Sequence, residues 1–443
     1  MKASKFNIFT DCGEGEILAY NSMTGGLVKF DTDVYSTYLK IISEDEKPDL
    51  TDPMISAVAA DLKRGGFLVD DKLDEVDYLK VIFSKSKYAP KNALGLTIAV
   101  TTACNFGCAY CFENGIEQEF MSREVESKII EYVEKNIKSK DALRITWYGG
   151  EPLLALDTIY RLSDAFMRIS KENKAKYSAG IITNGYLLNK ETAAELVKRR
   201  VGFAQITLDG GREKHDYSRI LKDGSGTFDT IMNNLKDAVG MLPIDVRINL
   251  GKHNINSFQS LLDDLDAHEI SRKIAFLDIC PLADYEFSSI DIRNKAFTAE
   301  EFSQASLKLS SMAIERGIKV FITHSTPHMS CSSITQEGCV IGPDGRMYKC
   351  WDMVGREDEV VGVIDKKVKL RDGSVKWLAW DCFGNKKCLD CNILPVCLGG
   401  CPRKTIIKDE VANNKEHCNK MKYNINEWVK LMYIQNKAKK EAG

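Results

Sequence analysis

Twelve of the chain's 14 cysteines fall in two clusters, Cys104, Cys108 and Cys111 in one and nine between Cys331 and Cys418 in the other. Only Cys12 and Cys280 stand apart. A single free cysteine is often a small buried hydrophobe, but core packing gives no reason for such clustering. Fourteen cysteines in 443 residues is well under the roughly 8–10% of a disulfide-stapled secreted chain. In a reducing compartment, clustered thiols point to metal ligation or catalysis. A structural zinc site takes four ligands, whereas the first cluster offers three with no histidine nearby. Three thiolates at one site suit an iron-sulfur cluster with one iron left open.

The charge balance, 61 Lys+Arg against 63 Asp+Glu, lacks the basic excess that drives binding to a phosphate backbone and speaks against nucleic acid as the main partner. No run of about 18 apolar residues predicts a membrane span, and the opening MKASKFNIFTDCGEGEI has no apolar stretch of signal-peptide length. A cytoplasmic protein of several domains, with no membrane partner, is expected.

Residues 1–90 read as a separate unit. Three β-patterned runs, FNIFT, EILAYN and GLVKFD, are divided by the Gly-rich turns GEGE and TGG. Helical spacing follows over Val34 to Ile42, Met54 to Arg64 and Leu73 to Phe83. This β-β-β-α-α-α order fits a winged-helix domain with a strand edge able to pair with an extended peptide. SKSKYAPKNALG, with Pro90, reads as a linker. Residues 91–325 alternate strands and helices: LGLTIAVT, LRITWY, SAGIIT, FAQITLD, DVRINL and KIAFLDI, with IKVFIT as a seventh strand. Repeated βα units predict a parallel sheet with helices outside, its chemistry beyond the carboxyl ends of the strands. TTACNFGCAYC, YGGEP, TNG and LDGG follow the first four strands in order. Residues 326–443 lose periodicity, which predicts little core and a large folding contribution from bound metal.

The spacing Cys104-x3-Cys108-x2-Cys111 resembles that of the radical S-adenosylmethionine (SAM) enzymes, and Tyr110 is similar to that family's adenine-side aromatic. Gly149-Gly150-Glu151-Pro152 resembles the family's motif for the SAM amino group. Thr183-Asn184-Gly185, Thr207-Leu208-Asp209-Gly210 and His215-Asp216-x-x-Arg219 resemble its ribose, methionine and carboxylate contacts. Glycine and asparagine also punctuate ordinary βα loops, which would explain one such match but not all of them in order. The resemblance implies that three thiolates hold a 4Fe-4S cluster whose open iron takes SAM, on a partial (β/α)6 TIM-like barrel of α/β class. It names no catalytic acid or base.

Cys331-x13-Gly345-x4-Cys350, then Cys388-x2-Cys391-x5-Cys397-x3-Cys401, then Cys418 resembles the SPASM extension of the same superfamily. That resemblance implies two auxiliary 4Fe-4S clusters, three clusters in all. Cys331, Cys350 and Cys401 would serve the first; Cys388, Cys391, Cys397 and Cys418 would serve the second. Cys339 is either a fourth ligand of the first or leaves it an open iron. Residues 1–90 are similar in element order to the recognition element of ribosomal-peptide maturases. The layout resembles the thioether-forming maturases of Cys-rich precursor peptides, supplied with electrons by a flavodoxin or ferredoxin. The alternatives are a carbon-carbon crosslinking maturase and a sulfatase maturase. In the latter an Asp follows the cysteine matching Cys350, where this chain has Trp351 and then Asp352.

Overall fold

The computed structural model describes all residues except 44–47, 89–91, 284–289, 324–330, 365–371, 408–417 and 442–443. Pro90 of the expected linker lies outside the described residues. Near the start, β1 (Asn7–Asp11), β2 (Ile17–Asn21) and β3 (Leu27–Phe30) form an antiparallel meander. Helices α1 (Thr32–Ile42), α2 (Pro53–Arg64) and α3 (Glu75–Tyr88) follow. Asp31 caps α1 by accepting from Val34 N, and Asp52 with Pro53 starts α2. The predicted order gains one feature, an antiparallel pair of Lys2–Ala3 with Leu68–Val69.

This unit is packed into the molecule. One face of its sheet, with Ala19 and Phe30, meets Tyr38, Ile41, Leu62 and Phe67 from its own helices. The other, with Ile8, Leu18 and Tyr20, joins the main core alongside Trp428 and Val429. Leu79 and Phe83 of α3 pack against Ile334, Leu394 and Leu398 from the C-terminal segment. Ser22 Oγ donates to Asn392 O, and Lys87 Nζ to Trp380 O.

Six strands form the parallel sheet: β4 (Ala93–Ala99), β5 (Ala142–Tyr148), β6 (Lys176–Thr183), β7 (Val201–Thr207), β8 (Ile244–Leu250) and β9 (Phe276–Pro281). They lie in sequence order, each beside the next, as right-handed βαβ crossovers dictate. Helix α4 (Arg123–Asn136) shows why these segments are helical. Ser122 caps it, and Val125, Ile129 and Val133 recur on one buried stripe.

IKVFIT, expected as a seventh strand, pairs with β9 through a single bridge, Leu277–Val320, among the described residues. The other hydrogen-bonding needs of Val320 are met by a side chain: Gln435 Oε1 accepts from its N at 2.7 Å and Gln435 Nε2 donates to its O at 3.1 Å. That side chain belongs to the C-terminal helix α5 (Ile425–Glu441). The segment after residue 325 also has more core than its irregular sequence predicts. Strands β10 (Cys339–Ile341), β11 (Arg346–Tyr348) and β12 (Gly362–Val363) extend the same sheet, β10 lying parallel to β4 with Cys339 opposite Leu96. Val340, Tyr348, Met353, Val354 and Trp377 form a buried cluster there with Ala99 and Tyr148. Among the described residues no helix is long and apolar enough to cross a membrane.

Candidate functional site

The turns after β4 to β8 converge at the carboxyl rim of the sheet around a cavity of about 280 Å³. The turn after β4 carries Cys104, Cys108 and Cys111, which all line the cavity. Thr102 N to Glu119 O (3.0 Å) and Gly107 N to Ile220 O (2.8 Å) fold it over the strand ends. The turn after β5 docks onto it through Gly150 N to Thr101 O (3.0 Å) and Glu151 N to Ala103 O (2.9 Å). This approach needs glycine. Gly149 has φ +134°, where a Cβ would lie 2.1 Å from Thr101 O, and a Cβ on Gly150 would lie 2.6 Å from Ala103 O.

Gly149, Gly150 and Asn184 line the cavity, while Glu151 and Pro152 stand behind it. The wholly buried Glu151 accepts from Thr183 Oγ1 and Asn184 N, both at 2.7 Å, and from Leu153 N at 2.9 Å. Its carboxylate thus laces two turns together. Asn184 is fixed by Asn105 Oδ1 at 2.8 Å and Tyr186 N at 2.9 Å.

Tyr110, Asp209 and Arg219 form one buried network. The Tyr110 hydroxyl donates to Asp209 Oδ2, and Arg219 Nη1 donates to the Tyr110 hydroxyl at 2.7 Å and lies 4.0 Å from Asp209 Oδ2. Burial raises the Tyr110 hydroxyl well above the usual phenol range, keeping it a neutral donor. Tyr110 and Arg219 face the cavity; Asp209 does not. Asn249, at the end of β8, completes the network from Asn249 N to Asp209 Oδ1 at 3.0 Å. The sequence reading missed Asn249, although the alternation of DVRINL puts Arg247 and Asn249 on one face. It also missed Glu113, whose carboxyl is pushed up to about 8 by burial and by nearby Asp352. Trp351 and Asp352 reach the same cavity from the C-terminal segment, and Trp351 stacks on Tyr148 with ring centroids 5.6 Å apart.

His215 supports Asp209 from behind. Its Nδ1 accepts from Asp209 N at 3.3 Å, so its protonated Nε2 faces Thr227 Oγ1 at 3.0 Å. Burial, then the Arg219 charge, hold the imidazole well below its ordinary range. The unfolded chain therefore takes up a proton that the folded chain refuses. This stability is complete above about pH 6.5 and lost as pH falls below it. The urea midpoint is expected to drop between about pH 7.5 and 5.5, and to drop less in His215→Gln.

In the C-terminal segment Cys350 has Asp352, Cys401 and Cys331 as ionisable neighbours, while Cys397 has Cys418, Cys391 and Cys388. Cys339 is placed differently. It shares the core side of β10 with Ile341, whereas Val340 faces the Cys350 side. Its ionisable neighbours are Lys349 and Tyr132. All 14 cysteines are free.

The donor set at the cavity fits an iron-sulfur cluster with SAM. Three free thiols share it, and burial pushes Cys104 and Cys111 up to about 12, so thiolates there require cations such as iron. Arg219 Nε is buried and has no hydrogen-bond partner among the described residues. Among the described residues no three His, Cys, Asp or Glu side chains group around a single-ion site. A cluster differs in that its thiolates sit on different irons.

Residues 98–265 match the radical SAM superfamily. The radical SAM cyclopropyl synthase TigE of Paramaledivibacter caminithermalis is 23% identical over 428 residues, 86% of this chain and 85% of the relative. The serine-type anaerobic sulfatase-maturating enzyme of Klebsiella aerogenes is 23% identical over 327 residues, 68% of this chain and 77% of that one. Among solved structures, anSMEcpe with bound AdoMet is similar with a TM-score of 0.61 at 16% identity, covering 79% of this chain and 96% of that one. Streptococcus suis SuiB bound to precursor peptide SuiA has a TM-score of 0.53 at 14% identity, covering 93% and 99%. These two likenesses show the fold.

Proposed function

We propose that the chain is a radical SAM enzyme of the SPASM maturase type, built on the residues 98–265 that match the radical SAM superfamily, and that it installs thioether crosslinks in a ribosomally made, Cys-rich precursor peptide. Cys104, Cys108 and Cys111 would hold a 4Fe-4S cluster, Gly149 and Gly150 would offer backbone to the SAM amino group, and the Arg219 guanidinium would meet its carboxylate. Bound there, cluster and SAM would supply reductive cleavage of a carbon–sulfur bond and a 5'-deoxyadenosyl radical able to take one hydrogen atom from the peptide; on carbon–sulfur bond formation the substrate thiol would give up its proton and the surplus electron would pass to an auxiliary cluster. The chain's own task is placement. Tyr148 and Trp351 wall the cavity on the side of the C-terminal segment, excluding water and limiting where a side chain can sit.

One observation carries the thioether reading over its rivals. Cys339 lies on the opposite face of β10 from the Cys350 cluster of side chains; read as a core residue and not a ligand, it would leave Cys331, Cys350 and Cys401 to supply three thiols and a fourth position open to a substrate cysteine. Cys388, Cys391, Cys397 and Cys418 would hold a complete second auxiliary cluster, and a flavodoxin or ferredoxin would deliver electrons. The precursor's leader would pair with the β3 edge of residues 1–90, where Val28 is exposed. SuiB was solved with a precursor peptide, which supports a peptide substrate for this fold.

The test is anaerobic reaction with the cognate precursor followed by mass spectrometry. The product is expected to be lighter by a pair of hydrogens and to lose one alkylatable thiol per ring, and a leaderless precursor is expected to react poorly. A product that loses hydrogen but keeps every thiol would establish carbon-carbon bond formation, the reading that similarity to a cyclopropyl synthase favours.

A further inference from the structure

A buried lysine closes the loop between Cys331 and Cys339. Lys349 is 5% exposed and immediately precedes Cys350, and its ammonium donates to the carbonyl oxygens of Thr335 and Gly338, each at 2.6 Å. Both acceptors are neutral. Among the described residues no carboxylate pairs with this ammonium; burial pulls it down to about 8, and the ionisable groups beside it are Cys339 first and then Cys331. Burying an ammonium without an anion is costly, whereas two carbonyls could be satisfied by a neutral donor or by water. A positive charge at this spot therefore calls for a negative one, and the groups at hand that can carry it are cysteine sulfurs.

We propose that Lys349 is the fixed counter-charge of the iron-sulfur cluster held by Cys331, Cys350 and Cys401, and that it raises that cluster's reduction potential. This rests on reading those three cysteines as cluster ligands. A cluster with its thiolates is net negative and gains one further negative charge when it accepts an electron. A cation held nearby in a medium of low dielectric favours the more negative state. Lys349 is thus a positioning residue that acts on the potential through charge and on the Cys331 loop through its two hydrogen bonds.

The experiment is a reductive titration of the anaerobically reconstituted full-length protein with dithionite and mediators, followed by electron paramagnetic resonance, with iron counted per chain. Wild type is compared with Lys349→Gln, which keeps a donor and loses the charge, and Lys349→Arg, which keeps both. Cys350→Ala identifies the signal. At a fixed potential the Gln variant is expected to hold about tenfold less of the reduced form, a shift of about 59 mV for one electron, while Arg stays with wild type. A Gln variant that titrates with wild type overturns the proposal and leaves Lys349 a hydrogen-bonding post. Loss of the cluster's iron in Gln but not in Arg supports the counter-charge; loss in both overturns it in favour of packing alone. Iron and signal unchanged in Cys350→Ala would show that these cysteines hold no cluster, so the ligand reading itself would fail, by a measurement independent of the potential.

Discussion

Replacing Cys104, Cys108 and Cys111 together with alanine is expected to remove about four of about twelve irons per chain, the content of three 4Fe-4S clusters, and to abolish SAM cleavage. The variant should still fold, because the thiols are not what shapes their loop. Thr101 Oγ1 to Glu119 O (2.6 Å), Met121 N to Val100 O (3.0 Å) and Gly107 N to Ile220 O (2.8 Å) hold it at both ends and in the middle. Phe106 fixes it further, buried in the main core. Iron assay together with chromatographic detection of 5'-deoxyadenosine checks this. The irons that remain would belong to the C-terminal cysteines. Iron content equal to wild type, or a preparation filled with zinc, would sink the assignment.

Arg219→Met is expected to be the most damaging single change at the cavity. The guanidinium has 10% of its side chain exposed and Asp209 has 1%, and they share Tyr110 between them. Removing the cation leaves the Asp209 carboxylate buried with only neutral donors, and breaking a buried pair from one side costs about 3–5 kcal/mol. The same change removes the guanidinium from the cavity wall, where its Nε has no hydrogen-bond partner among the described residues, so SAM affinity should fall about a hundredfold, near 2.7 kcal/mol. Arg219→Lys should recover part of the stability but little of the affinity, since an ammonium lacks the planar fork that serves Tyr110 and a ligand together. Denaturant titration and calorimetry of SAM binding separate the two effects. Wild-type values for both in Arg219→Met would show that the network is incidental.

How much of this was legible beforehand depends on the range of the interactions. The cysteine spacing, the glycine pair at 149–150 and the Asn184 and Asp209 turns could be read from the chain because each is a short segment following a strand, and parallel βα units bring successive strand ends to one rim. Helix starts were equally local. Ser122 and Asp52 cap through bonds to residues within three positions.

Tertiary structure alone decided the rest. Whether Glu151 faces the cavity or its neighbouring turn depends on where Thr183 and Asn184 arrive. The role of Asn249 depends on Asp209 being brought within 3.0 Å from another strand. The sequence left Cys339 either a fourth ligand or a spare thiol; pairing of β10 with β4 turns its side chain to the core. Residues 1–90 read as a separate unit because their own pattern closes a small core. The second face of that sheet, however, is buried by Trp428 and Val429 from the other end of the chain. A sequence states which residues are apolar and at what period; it does not state which distant surface will cover them. That choice is made only when long-range packing and strand register are settled together.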